Sequence, residues 1–138
     1  MGSVLFAFLL AACGSDGPST VAPDVCELVG TVRALQVDLN RLVIALAQND
    51  QNTILELRPI LANGDTTMRA MIQNRSSMIS ADQRNVFVSA DLLVGQAASL
   101  ISDPPVIIDA TSIGNLRRAV SMVDELLDQD WPIGTCSN

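Results

Sequence analysis

Residues 24–48 read DVCELVGTVRALQVDLNRLVIALAQ, and the spacing of their apolar side chains decides the fold. Val25, Leu28, Val32, Leu35, Leu39, Leu42 and Leu46 follow one another at alternating gaps of three and four residues. A helix turns once in about 3.6 residues, so this series forms one stripe that must bury against a partner. Arg33, Gln36, Asn40 and Arg41 fall on the other, polar side. Asp24 is a favourable N-cap, and Glu27 stands three residues on, the spacing of a capping box. The expected helix runs over about 25–48, and Asn49-Asp50-Gln51-Asn52 end it with turn-prone side chains.

Downstream the same period returns with interruptions. Ile54, Leu55, Leu57, Ile60 and Leu61 suit a helix over about 53–62, but Pro59 removes an amide and crowds the turn before it. Asn63-Gly64 can close that helix, and Asp65 can cap a further segment, 66–79, with Met68, Met71, Ile72, Met78 and Ile79 inward. One kinked helix and two separate ones are equally compatible with this stretch. Ser80 and Gln83 form another capping box, ahead of Val86, Ala90, Leu93, Ala97 and Leu100. That helix should span about 81–102 and stop at Asp103-Pro104-Pro105. Its Gly95, Ala97 and Ala98 would let a neighbour approach closely. After Val106-Ile107-Ile108, the series Ile113, Leu116, Val120, Val123 and Leu127 marks a last helix over about 111–129. No stretch alternates as a strand does, and nothing repeats.

Short links between amphipathic helices favour antiparallel neighbours, so the expected fold is all-α, an up-and-down bundle of four to five helices. An even number of long helices would bring both ends of residues 24–138 to the same end of the bundle.

The net charge is −7, which disfavours nucleic acid, where affinity comes from Lys and Arg on phosphates. With no His and no Tyr in the sequence, the commonest general base and transition-metal ligand are missing. The composition therefore argues against most enzymes.

Ahead of the helices, Val4-Leu5-Phe6-Ala7-Phe8-Leu9-Leu10 is a short apolar run, followed by Ala11-Ala12 and then Cys13. The run is too short to span a membrane, which takes about 20 apolar residues. Leu10-Ala11-Ala12-Cys13 resembles the lipobox of bacterial lipoproteins, the signal for cleavage and lipidation after export. The resemblance covers only residues 1–13 and implies no fold for the rest. It implies that residues 1–12 are a signal peptide and that Cys13 becomes the first mature residue. Cys13 would then carry a diacylglyceryl group on sulfur and a further chain, such as palmitate, on its new amino terminus. Two or more acyl chains anchor stably where one does not. The expected location is the cell envelope, outside the cytoplasmic membrane. Gly14 stands where Asp often marks inner-membrane retention, so an outer-membrane or Gram-positive surface site stays open. Gly14 to Pro23 (GSDGPSTVAP) reads as a flexible tether, whose ten or so residues reach roughly 17–19 Å.

Two cysteines remain. Cys26 lies in the first turn of the first helix and Cys136 just past the last, at the end of the bundle where both regions should meet. An oxidising compartment would join them in a disulfide; the alternative is two unpaired thiols. Closing a loop of about 110 residues contributes roughly 4–5 kcal/mol in the chain-entropy model.

Other residues offer weaker chemistry. Met68 and Met71, with Met78 and Met122, could in principle present sulfurs to Cu(I), but methionines at helical spacing are usually core fillers. Asp124, Glu125, Asp128 and Asp130 crowd the last helix's C-terminus, where the dipole disfavours them. They have no EF-hand spacing and read as a solvated acidic face, with Arg117-Arg118 as candidate counter-charges if a neighbouring segment gathers them. Asp38, Glu56, Asp91 and Asp109 are scattered, and no spacing singles out a catalytic pair. The expected protein is a non-enzymatic lipoprotein with no metal or cofactor, membrane-bound through Cys13. It would act as a structural part or by binding an envelope protein. The rival is a module carrying a small apolar ligand or lipid between its helices.

Overall fold

A computed structural model of the chain describes residues 21–132 and 134–136. The expected signal segment, Cys13 and most of the expected tether lie outside them. Among the described residues there are four long helices: α1 (Pro23–Gln48), α2 (Gln51–Asn74), α3 (Ala81–Leu100) and α4 (Ala110–Asp130). One 3₁₀ turn (Ser76–Met78) precedes α3, and no strand occurs among the described residues. Each helix packs against the one before it, α4 returns to α1, and the diagonal between α1 and α3 is the slighter contact. This is the expected all-α bundle. None of the four is long and apolar enough to cross a membrane.

The α1 stripe is buried along its whole length, as is that of α4 from Ile113 to Leu127. Gln36 departs from the expected pattern. It is 2% exposed rather than on the polar side. Its Nε2 donates to the Val120 carbonyl at 2.9 Å and to Asp124 Oδ1 at 3.0 Å, which compensates the burial of the nitrogen against α4, while its Oε1 is buried and accepts from no described residue.

The start of α1 also differs. Its N-cap is Ala22, with no side-chain cap bond, and Pro23 occupies the first turn. Proline favours that position because its fixed φ suits the helix and its missing amide has no partner there anyway. Asp24 thus lies inside the first turn, and Glu27 pairs with Arg75 instead of closing a capping box. Asn49 ends α1 in the left-handed conformation, and Asp50 caps α2 through Thr53 N at 3.2 Å.

Pro59 and Gly64 do not divide α2. Pro59 and Leu55, four residues before it, are both exposed, so water can serve the Leu55 carbonyl that Pro59 leaves without a donor. Gly64 is buried and faces Leu35 of α1. It is a point of close approach rather than a stop. Asp65 consequently sits in mid-helix, not at a cap, and the 66–79 segment is the end of α2 plus the 3₁₀ turn.

Ser80 and Gln83 make both bonds of their capping box, at 3.1 Å each. Leu100, expected inward, is exposed; Ile101 takes the buried position as α3 ends. Arg58 Nε donates to the Ile101 carbonyl, serving an otherwise free helix terminus. The following loop is pinned where Gln51 accepts from Val106 N at 3.3 Å and donates to its carbonyl at 2.9 Å. Asp109, which sequence reasoning left among scattered acids, caps α4 by accepting from Ser112 N at 2.7 Å.

Candidate functional site

Two places on the bundle gather polar chemistry. The first is the end where α1 begins and α4 finishes. There Cys26 and Cys136 form a disulfide, their Cα atoms 5.2 Å apart. The route back from α4 turns at Gly134, whose φ of 101° is costly for any residue with a Cβ. Trp131 is 2% exposed beneath this turn, and its ring lies 4.7 Å from that of Phe87. Arg33 ties α1 to the same place, with Nη2 donating to the Trp131 carbonyl at 2.7 Å and meeting Asp128 at 3.1 Å. A groove of about 360 Å³ runs beside the disulfide, with Gly30, Arg33, Trp131 and Pro132 in its walls. Val21, where the described chain enters the bundle, borders Trp131 at the same end.

The second place is the seam between α2 and α3. Its cleft of about 540 Å³ is open and lined by Asp65 and Arg69 from α2 and by Asp91, Leu92, Gly95 and Leu100 from α3. Gly95 makes the room: a Cβ there would already touch Asp65 Oδ1 at 3.4 Å. Arg69 Nη2 lies 3.1 and 3.0 Å from the two Asp65 oxygens, while its Nε stands 3.6 Å from Asp91 Oδ2. Asp91 Oδ1 is buried, and among the described residues nothing donates to it. Burial first, and then the neighbouring carboxyl of Asp65 and its like charge, push the Asp91 carboxyl up from 3.8 to about 6. Arg69 acts the other way but is 59% exposed, so water weakens its pull.

The remaining candidates disperse. Asp38 and Glu56 share Arg41, at 3.3 and 2.8 Å, in a solvent-facing group. Asp109 is a cap, its carboxyl held low by the Ser112 amide and hydroxyl. Of the acidic cluster, Asp124 accepts from Gln36 and Asp128 pairs with Arg33. The compensating arginine comes from α1, and Arg118 instead donates to Asn115. Met68 is buried and Met71 packs on the core, whereas Met78 and Met122 are exposed on separate elements. Among the described residues, no three His, Cys, Asp or Glu side chains converge to hold a metal ion. Sequence reasoning missed the Asp65–Asp91 pair because it placed Asp65 at a helix start. The Asp65–Arg69 spacing of four was the one local signal that both belong to a single helix.

Comparison of the chain with protein-family models, with curated proteins and with solved structures returns no match.

Proposed function

We propose that this chain is a small lipoprotein of the bacterial envelope, held to a membrane through lipid on Cys13, that acts without catalysis as a structural or protein-binding module. The observation that carries this reading is Leu10-Ala11-Ala12-Cys13 behind a short apolar run. The disulfide supports it, because such bonds persist where the surroundings oxidise thiols. Chain entry at Val21 lies at the disulfide end, so a leash would leave the sides and the far end of the bundle free to meet a partner.

The test is expression of the full chain in a bacterium fed an alkyne fatty acid. Label should enter the protein, disappear in Cys13→Ser, and accompany a mature mass that begins at residue 13. Retention of residues 1–12 in unlabelled native protein would overturn the anchor. In-cell crosslinking should then capture a discrete envelope protein. Lipid that co-purifies stoichiometrically with the washed domain would replace the binding role by that of a carrier.

A further inference from the structure

The α2–α3 seam holds one positive charge between two carboxyls that differ in their surroundings. Arg69 gives its close contacts to Asp65 and leaves Asp91 a single approach at 3.6 Å. Asp91 is only 13% exposed, and its Oδ1 has exchanged water for no donor at all. A carboxylate in that position has lost hydration without replacement, whereas a protonated carboxyl becomes a donor and can bond its neighbour. The neighbour is Asp65 on α2, which shares Arg69 with it and lines the same cleft. A proton held between two such groups makes a charge-assisted bond, among the stronger of hydrogen bonds. Among the described residues, the charged groups that act on Asp91 are Asp65 and Arg69; none from α1 or α4 does.

We propose that Asp65 and Asp91 form a proton-operated latch across the α2–α3 seam. In mild acid one shared proton joins the two carboxyls; at neutral pH it leaves to water. Among the described residues, Arg69 is then the only group holding the two negative charges, and the seam around Gly95 relaxes. The sign follows from linkage. Asp91 binds its proton more tightly folded than unfolded, so its contribution to stability is complete below the ordinary carboxylate range and is lost as pH rises towards 6. The cleft between Arg69, Leu92 and Leu100 is consequently more open at neutral pH than in acid. The latch is independent of lipid on Cys13.

The test uses the oxidised full chain. Carboxyl-carbon NMR should give Asp91 a midpoint of about 6. Amides flanking Asp65, Asp91 and Gly95, corrected for intrinsic rates, should exchange about tenfold faster at pH 7 than at pH 5, since one pK unit is a factor of ten. Amides on the α1–α4 seam should show no such step. D91N should abolish the pH dependence, and D65N should move the Asp91 midpoint down. An Asp91 midpoint near the ordinary 3.8 in the unmutated chain overturns the latch. So does equal exchange at the two pH values, or a pH step that survives in D91N.

Discussion

Gly64→Ala is the sharpest probe of how α1 and α2 meet. A methyl group there would overlap Leu35 Cδ2 and stand 3.0 Å from Cδ1 and 3.2 Å from Cγ. All three atoms belong to one side chain that is 6% exposed, so Leu35 has little free space into which to retreat. Overpacking of this kind costs about 1–3 kcal/mol. Replacing Gly by Ala inside a helix returns about 1 kcal/mol of backbone propensity. The balance is a loss of up to about 2 kcal/mol, with about 1 kcal/mol as the central value. Leu35→Ala alone should cost about 2–5 kcal/mol through the cavity it leaves. In that background the clash is gone, and Gly64→Ala should change sign and stabilise by about 1 kcal/mol. The coupling between the two changes is then about 1–3 kcal/mol, large enough for a double-mutant cycle. Urea unfolding followed by far-UV circular dichroism, with the disulfide intact, measures all four proteins. If Gly64→Ala stabilises both backgrounds equally, the close approach of α1 and α2 at this point is refuted.

The other expectations concern the bundle's ends. Reducing the Cys26–Cys136 bond frees a loop of 110 residues and should lower stability by about 2–5 kcal/mol. A thermal midpoint unmoved by reductant speaks against that bond. Trp131, the chain's one tryptophan, borders the same groove, so its fluorescence should report the reduction. Ser80→Ala removes the acceptor for Gln83 N and should cost about 1 kcal/mol, measured by urea unfolding at constant pH. Asp109 titrates below the ordinary carboxylate value, so its support of α4 is present above that range and fades as pH falls through it; Asp109→Asn should keep the cap and lose that acid dependence.

Two elements divide what short-range pattern reveals from what it does not. The α1 stripe from Val25 to Leu46 and the Ser80–Gln83 box were legible because a helix repeats every few residues and a cap reaches only three. The disulfide was legible for a topological reason: an even number of long helices returns the chain to its starting end. Gln36 and Asp65 were not legible. On a helical wheel both are polar side chains, and only the partner helix decides that Gln36 meets the Val120 carbonyl and that Asp65 shares Arg69 with Asp91.

Pro59 and Gly64 carry the same lesson in reverse. Taken alone they are helix breakers, by about 3 and 1 kcal/mol. Packed against α1 and α3, α2 runs through both, since burial of Leu57, Leu61 and Met68 outweighs the local penalties. Periodicity, cap spacing and cysteine placement thus settle the class of fold and its closed end, because each is a property of nearby residues or of helix number. The register between helices, and with it the carboxyl pair on the α2–α3 seam, belongs to tertiary structure. It depends on which side chains, 26 residues apart in sequence (65 to 91), are pressed together away from water.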